Sequence, residues 1–586
     1  MKRALPTIII LTAAMSNLLL IADGQSTNQN PKQSENSRAG AISGRIVNEA
    51  GTPLPNARVF VNRVGGQTMR RTINTDNAGR FVADDLPRGN YTINVQANGY
   101  TQARNPADTP FYRPGDTVNL TLNKGGVITG TVTTSDGEAV ICVAISATQI
   151  LDEFGRKTGI TSGIRYTDDR GVYRIFGLPA GTYIVAAASK SVRSFGPAPY
   201  EDNAPTYYPS STRGAAAEVI VQNGTEANGI DIRFRGETGY TISGTLIDQV
   251  APEGSGVVGL TSVVAMRASD EMMEAQNMPR YPGNESTFSI YGVPDGDYYL
   301  VARRGSYQGY DGAESKRVPV KVRGHDVTGV AMSLVPLCSI AGRLTLDIAT
   351  KNLKCETKTV PAIEETLIAM RSEDSDRDDS ASRFSSAASS PDRQGDFILQ
   401  GIKAGRYRID SRLLLDESWY IRTVTVPSPT NTPVDVGGGG ITVRSGQRTT
   451  GIRVVIGEGA ASIRGTVLPE KDGGSIPNRL RVYLVPSEKD SAENLLRYLE
   501  ANVQSDGSFR VLNAAPGKYW LLARQLSEED SKMRIPTQQS WNGSNRTALR
   551  RDASAANVSL ELKPCQRVSD FQLRYSPPKE NGSKRP

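Results

Sequence analysis

Short runs in which apolar and polar residues alternate dominate the chain, and long helical patterns are scarce. Alternation with a period of two is typical of half-buried β-strands. Five such runs carry a central glycine: Gly44, Gly130, Gly244, Gly342 and Gly465. Five later runs alternate in the same way: 116–122, 229–234, 329–334, 451–456 and 570–575. We therefore predict an all-β chain built from repeats, each of which opens and closes with a strand.

Between these strands one phrase recurs, with an aromatic residue and a tyrosine always ten residues apart. The pairs are Phe81 and Tyr91, Tyr173 and Tyr183, Phe288 and Tyr298, Phe397 and Tyr407, and Phe509 and Tyr519. The first copy reads TDNAGRFVADDLPRGNYTINVQANGY (75–100). We predict that its Asp-x-x-Gly forms a turn, that Pro and Gly form a second turn, and that the tyrosine ring points inward. Each copy is then a β-hairpin. The alternative, a calcium loop starting at Asn74 and Asp76, lacks the closing Glu.

The spacing of the opening glycines, about 100 residues, matches the size of a small β-sandwich. The predicted sandwiches are 41–124, 125–237, 238–336, 337–458 and 459–575. The fourth carries an acidic insertion (371–391) that we predict to be flexible, with calcium binding as the alternative. A linker at 25–40 and a disordered tail at 576–586 flank the five sandwiches.

The first 24 residues have the pattern of a secretory signal. Lys2 and Arg3 precede an apolar stretch, and small residues lead to a cleavage site after Gly24. An uncleaved anchor is the alternative. No second apolar span follows, so we predict an exported protein, periplasmic or secreted, with no membrane span after signal removal. The net charge of +7 comes without a dense basic run, which argues against nucleic-acid binding.

Export permits disulfides, and the chain has four cysteines. Four cysteines allow three full pairings. We favour Cys338–Cys355, the pair closest in sequence, with the other two as buried free thiols.

The stretch ISGRIVNEAGTPLPNARVFV, followed by the first copy of the phrase, resembles the carboxypeptidase regulatory-like domain. That family has a transthyretin-like β-sandwich fold related to the collagen-adhesin B-type repeats of bacterial surface proteins. The resemblance implies about five tandem immunoglobulin-like or transthyretin-like sandwiches. In carboxypeptidases these domains accompany a zinc catalytic domain, whereas this chain has one histidine, His325. Some adhesin repeats form a Lys–Asn isopeptide bond, but here the first strand has Arg45, and residues 41–123 contain no lysine.

These observations predict a protein without catalytic activity or cofactor. The first hypothesis is a structural, adhesive or docking role at the bacterial envelope, with an unidentified envelope protein as partner. The alternative is polysaccharide binding, because related sandwiches belong to a carbohydrate-binding-like fold class. Its candidate aromatics, which we predict to be exposed, are Tyr207, Tyr208, Tyr307, Tyr310, Trp419 with Tyr420, and Trp541. A third hypothesis, by analogy of fold alone, is a periplasmic partner of outer-membrane transporters.

Overall fold

The computed structural model describes residues 40–64, 70–102, 110–188, 199–248, 261–277, 285–305, 312–348, 355, 362–372, 388–412, 418–428, 432–471, 474–477, 479–526 and 543–575. The predicted signal peptide, its cleavage site after Gly24, the predicted tail, the linker up to residue 39 and residues 373–387 of the acidic insertion lie outside these residues. The described part consists mainly of β-strands in five groups, which we call sandwich 1 to sandwich 5. The prediction of an all-β chain of about five tandem sandwiches is confirmed.

The strands of the first three sandwiches run in chain order as follows. Sandwich 1 contains β1 (Gly40–Asn48), β2 (Arg58–Arg63), β3 (Arg70–Asn74), β4 (Arg80–Leu86), β5 (Tyr91–Gln96), β6 (Tyr100–Gln102) and β7 (Thr117–Lys124). Sandwich 2 contains β8 (Gly126–Thr133), β9 (Ala144–Asp152), β10 (Lys157–Thr161), β11 (Arg165–Tyr166), β12 (Val172–Leu178), β13 (Gly181–Ala187), β14 (Thr206–Tyr207), β15 (Val219–Val221), β16 (Glu226–Ala227) and β17 (Ile232–Arg233). Sandwich 3 contains β18 (Tyr240–Asp248), β19 (Thr261–Arg267), β20 (Met273–Asn277), β21 (Glu285–Val293), β22 (Gly296–Arg304), β23 (Ala313–Ser315), β24 (Val318–Val322) and β25 (Val327–Pro336).

The last two sandwiches follow the same plan. Sandwich 4 contains β26 (Cys338–Asp347), β27 (Leu367–Ser372), β28 (Ala388–Ser389), β29 (Asp396–Ile402), β30 (Gly405–Arg412), β31 (Trp419–Val426), β32 (Val434–Asp435), β33 (Ile441–Val443) and β34 (Arg448–Glu458). Sandwich 5 contains β35 (Ala461–Leu468), β36 (Leu480–Pro486), β37 (Leu499–Asn502), β38 (Ser508–Ala514), β39 (Gly517–Gln525), β40 (Ser559–Leu562) and β41 (Arg567–Arg574), together with helix α1 (Gly543–Ala556). Short 3₁₀ turns lie at Arg213–Ala215, Ile363–Glu365 and Leu495–Arg497. No helix among the described residues has the length and apolarity that crossing a bilayer requires.

Every sandwich repeats one strand arrangement. The opening strand pairs antiparallel with the strand that carries the aromatic residue, and parallel with the closing strand. The strand that begins near the tyrosine pairs instead with the second long strand of its sandwich. In sandwich 1 the two sheets have the orders β4-β1-β7-β6 and β3-β2-β5. Each sandwich encloses its own hydrophobic core between these two sets of strands.

The predicted β-hairpin in each copy is wrong. The aromatic strand and the tyrosine strand are consecutive in the chain, yet they do not pair in any of the five described sandwiches. The physical reason is that both rings point into the core from opposite sides, so the corner between them must cross from one sheet to the other. The recurring phrase is therefore a crossover between sheets. The domain boundaries predicted from sequence stay predictions.

Candidate functional site

The aspartate in the turn of the phrase hydrogen-bonds to backbone N–H groups. An oxygen of Asp76 accepts hydrogen bonds from the backbone N–H groups of Ala78 (2.9 Å) and Arg80 (2.7 Å). The second and fourth copies repeat this with Asp168 and Asp392, and in the fifth copy Asp506 accepts from Ser508. Such bonds are what aspartate provides at a turn, and they use the oxygens that a metal would need. The described residues contain no group of three or more acidic, histidine or cysteine side chains arranged to hold a metal ion.

The tyrosine of each copy stabilises the crossover between the two sheets. Its ring is buried, and its hydroxyl donates to the backbone carbonyl four residues earlier, at 2.7–3.0 Å. The pairs are Tyr91 to Pro87, Tyr183 to Pro179, Tyr298 to Pro294, Tyr407 to Lys403, and Tyr519 to Ala515. The same bond recurs as the tyrosine corner of immunoglobulin-like sandwiches. The repeated tyrosine thus fixes the turn between the sheets.

The opening glycine is required by the approach of two neighbours. In each copy it lies directly opposite the aromatic residue across the antiparallel pair. A Cβ added at Gly44 would stand 1.9 Å from the carbonyl oxygen of Val118 and 2.9 Å from the ring of Phe81. The other four glycines meet the equivalent carbonyl at 1.9–2.5 Å. Only glycine fits where a strand carbonyl and a core ring converge on one backbone position.

One further repeated position was missed from the sequence. The residue four after each aromatic has a positive φ of 55–73°: Asp85, Gly177, Gly292, Gly401 and Asn513. Each interrupts the strand register just before the crossover. Glycine, asparagine and aspartate are the residues that tolerate this conformation, so their recurrence at one spacing is a signal that the sequence contained.

Two of the aromatics proposed for sugar stacking are internal, and Tyr420 is half-buried. Tyr207 and Trp419 are buried, with 6% and 3% of their surfaces exposed. Tyr208 is half-buried against the core of sandwich 2. The prediction that Tyr207 and Trp419 are exposed is wrong, because both cover the strands of their own or a neighbouring sandwich. Tyr307, Tyr310 and Trp541 lie outside the described residues.

The favoured disulfide is also wrong. Cys355 is bonded to Cys565, across 210 residues, with their Cα atoms 5.2 Å apart. Cys338 is a buried free thiol that donates to the Arg444 carbonyl at 2.9 Å, and Cys142 is free and exposed. Cys338 lies within β26, and its side chain is buried in the core of sandwich 4. Proximity in sequence was a poor guide because the bond joins two sandwiches.

His325 lies in the exposed turn before β25. Its Nδ1 is 2.7 Å from the Arg323 carbonyl oxygen. The nearest acid in sequence, Asp326, accepts from the backbone N–H of Thr241.

A buried ionic cluster joins sandwiches 2 and 3, and we call it the 2–3 joint. Glu274 of β20, whose side chain is 1% exposed, lies 3.5 Å from the Arg213 guanidinium and 3.3 Å from that of Arg267. Arg213 also pairs with Asp270 at 2.9 Å. The Tyr207 hydroxyl is 3.5 Å from Glu274. Burial, and secondarily the Glu274 carboxylate, raises the pKa of Tyr207, so the phenol stays a neutral hydrogen-bonding group.

A second joint connects sandwich 1 to sandwich 4. Asn90, just before the repeated tyrosine, is fully buried, and its amide donates to the Glu365 carbonyl (3.0 Å) and the Ser390 hydroxyl (3.1 Å). Arg113 lies 3.5 Å from the Glu365 carboxylate. Burial raises the pKa of Glu365, and the Arg113 charge opposes this. Two sandwiches far apart in sequence are thus in direct contact.

The last joints link sandwich 4 to its neighbours. The Asn513 amide donates to the Trp419 carbonyl at 2.7 Å, and the Cys355–Cys565 disulfide ties the same two sandwiches, 4 and 5. Lys403 pairs with Glu314 of sandwich 3 at 3.0 Å. Sandwich 4 therefore makes direct contacts with sandwiches 1, 3 and 5.

Residues 41–123, which make up sandwich 1, match the family model of the carboxypeptidase regulatory-like domain. No curated protein matches the chain. Among solved structures, the minor pilin GBS52 of Streptococcus agalactiae aligns at 13% identity over 33% of this chain and 94% of its own, with a TM-score of 0.20. The major pilin subunit BcpA of Bacillus cereus aligns at 10% identity over 51% and 99%, with a TM-score of 0.13. The Bacillus anthracis TIE protein aligns at 15% identity over 50% of each chain, so this chain spans half of that protein, with a TM-score of 0.14. At such scores no property of these proteins is transferred to this chain.

Proposed function

We propose that this chain is an exported, non-catalytic body of five sandwiches that docks or adheres at the bacterial envelope. The observation that carries the proposal is the set of joints. A buried charge or amide without its partner is costly, so these contacts hold the sandwiches in fixed relative positions. Independent modules joined by flexible linkers would not form such contacts.

The joints favour a docking body over an extended spacer. A spacer places its modules in a row, so that each touches only its neighbours in sequence. Here Asn90 and Arg113 of sandwich 1 contact Glu365 of sandwich 4, which brings the chain back on itself. A closed arrangement of this kind presents outer sheet faces in fixed relative positions. Fixed faces suit recognition of a partner surface, since less conformational entropy is lost on binding.

The Cys355–Cys565 disulfide supports export. Disulfides that close long stretches of chain form and persist in oxidising compartments such as the periplasm and the cell exterior. The mechanism that we propose for the body itself is mechanical: the ionic cluster, the amide contacts and the disulfide hold five sandwiches at set angles. The phrase that looked like a metal loop contributes crossovers and tyrosine corners to this framework.

Small-angle X-ray scattering on the exported chain tests the proposal. A compact body of this length should have a radius of gyration of roughly 25–30 Å. Five sandwiches in a row, each roughly 35–40 Å long, would give roughly 50 Å or more. Fractionation of the source cells, with an antibody to the chain, should place the protein outside the cytoplasm. A radius near that of a row, or a cytoplasmic location, would reject the docking body.

Adhesion itself needs a second measurement. Fluorescently labelled chain should bind washed cells of the source organism saturably, and unlabelled chain should compete. The test variant is Asn90→Asp, which places a carboxylate beside the Glu365 carbonyl at the 1–4 joint. It should increase the radius of gyration and weaken cell binding relative to the unmodified chain. Binding that survives an opened joint unchanged would mean that fixed sandwich positions do not matter for adhesion.

A further inference from the structure

The outer face of the sheet β3-β2-β5 in sandwich 1 is open and chemically unusual. Nine side chains alternate outward along the three strands: Arg58, Phe60 and Asn62 on β2, Arg70, Thr72 and Asn74 on β3, and Thr92, Asn94 and Gln96 on β5. All nine are half-buried or exposed. Four carry amides, two carry hydroxyls and two carry guanidinium groups. The set contains no carboxylate and no lysine, although both are usual on solvated strands.

The single aromatic residue stands at the centre of this face. Phe60 lies directly opposite Thr72 on one side and Asn94 on the other. The Arg70 guanidinium lies 4.4 Å from the centre of the Phe60 ring. A ring and a stacked guanidinium form a flat platform with hydrogen-bond donors at its edge. The three strands make the face roughly 13 Å long and 10 Å wide, which suits a short stretch of an extended polymer.

The equivalent faces of two other sandwiches are covered by the protein itself. In sandwich 5, Tyr483, Val485 and Leu522 pack beneath helix α1 through Leu549 and Ala553. In sandwich 2, Ile184 and Ala186 lie beneath Tyr207, at the 2–3 joint. Those outer faces are apolar because they are internal. The equivalent face on sandwich 1 is polar, and both of its arginines, Arg58 and Arg70, are exposed.

The charges on the face indicate which ligand. Neither Arg58 nor Arg70 has an ion-pair partner among the described residues, so the nine side chains present two positive charges and no negative charge. Amides and hydroxyls hydrogen-bond to polyols, and an aromatic ring packs on the C–H face of a sugar. Guanidinium forks bind carboxylates.

We propose that this face binds an acidic polysaccharide, with sugar carboxylates at Arg58 and Arg70 and a sugar ring packed against Phe60. The ligand is a uronate-containing glycan, because a neutral glycan would leave the two guanidinium groups without carboxylates. This gives the carbohydrate alternative a site that excludes the aromatics named from sequence. It does not depend on the joints, since scattering tests the docking body separately.

The test uses the full exported chain in affinity electrophoresis and calorimetry with polygalacturonate and alginate as probes, and dextran as the neutral probe. We expect saturable binding to at least one polyuronate and none to dextran. Arg58→Gln with Arg70→Gln should weaken binding on the order of tenfold or more, equivalent to ~1.4 kcal/mol or more. Phe60→Ala should also weaken binding. The double arginine variant should keep the melting temperature of the unmodified chain.

The matched control is Arg80→Gln, an exposed arginine of the same sandwich that lies on the other sheet. It makes the same charge change as either single variant of the face, Arg58→Gln or Arg70→Gln, each of which should weaken binding. Arg80→Gln should bind like the unmodified chain. Loss of binding in Arg80→Gln equal to that of a single face variant would mean non-specific charge attraction and overturn the site. Equal binding of dextran would overturn the acidic class, and absence of binding to both polyuronates would overturn the proposal while leaving the scattering result untouched.

Discussion

Replacing Glu274 by glutamine tests the 2–3 joint. The change keeps the size of the side chain and removes the negative charge between the guanidinium groups of Arg213 and Arg267. The glutamine amide also turns a donor toward two other donors. Breaking a buried ion pair by removing one partner costs about 3–5 kcal/mol. Arg213 keeps Asp270 at 2.9 Å, so we expect a loss of about 2–4 kcal/mol in the free energy of unfolding.

Calorimetry shows where that loss falls. Sandwiches 2 and 3 share the cluster, so in the unmodified chain they should unfold in one transition, and in Glu274→Gln this transition should move to lower temperature and split. The control is Glu226→Gln, which removes the partner of Arg174 at 3.2 Å in a pair that is 39–53% exposed. Exposed pairs contribute ~0–1 kcal/mol. If the two variants shift the transition equally, the cluster does not hold the sandwiches together.

Three further changes test the framework. Gly130→Ala places a Cβ 2.1 Å from the Ile230 carbonyl oxygen and should cost about 2 kcal/mol or more, whereas Gly214→Ala, with open space around it, should be close to neutral in the same urea titration. Cys355→Ser should lower the free energy of unfolding by up to about 5 kcal/mol through the lost loop constraint, seen as a lower urea midpoint, while Cys142→Ser should leave both unchanged; an unmodified chain insensitive to reductant would contradict this. Burial raises the pKa of Tyr519 from 10.0 to about 12, so as pH rises the unfolded chain releases this proton before the folded chain does. The free energy of unfolding should therefore fall between about pH 10 and 12. Absorbance at alkaline pH should show Tyr519 ionising late, and Tyr519→Phe should lose less stability over this range.

The repeated architecture was largely readable from the sequence, because period-two alternation and fixed spacing report local backbone geometry. The opening glycines, the inward aromatics and the turn aspartates lie where the pattern placed them. The pairing of strands was not readable. Tyr91 follows Phe81 after a tight corner, as in a hairpin, and only the packing of both rings into one core requires the chain to change sheets.

Contacts between sandwiches escaped the sequence for a different reason. Cys355 and Cys565 are 210 residues apart, and Asn90 reaches Ser390 across 300. Nothing in the local pattern marks such partners, because a joint residue looks like any polar surface residue until its neighbour is known. Tyr207 was wrongly predicted to be exposed for the same reason: its ring is buried, and its hydroxyl lies 3.5 Å from Glu274 of the next sandwich.

The repeat therefore carries little information about function, and the outer sheet faces carry most of it. The repeated geometry of crossover, tyrosine corner and glycine fixes only the inward side of each sheet. The outward side is free to vary, and it does: helix α1 covers it in sandwich 5, a joint covers it in sandwich 2, and amides with two arginines occupy it in sandwich 1. Because strands alternate, a new outer face can arise without disturbing the core. A ligand for this body should accordingly be sought where an outer face is left open, and sandwich 1 offers one such face.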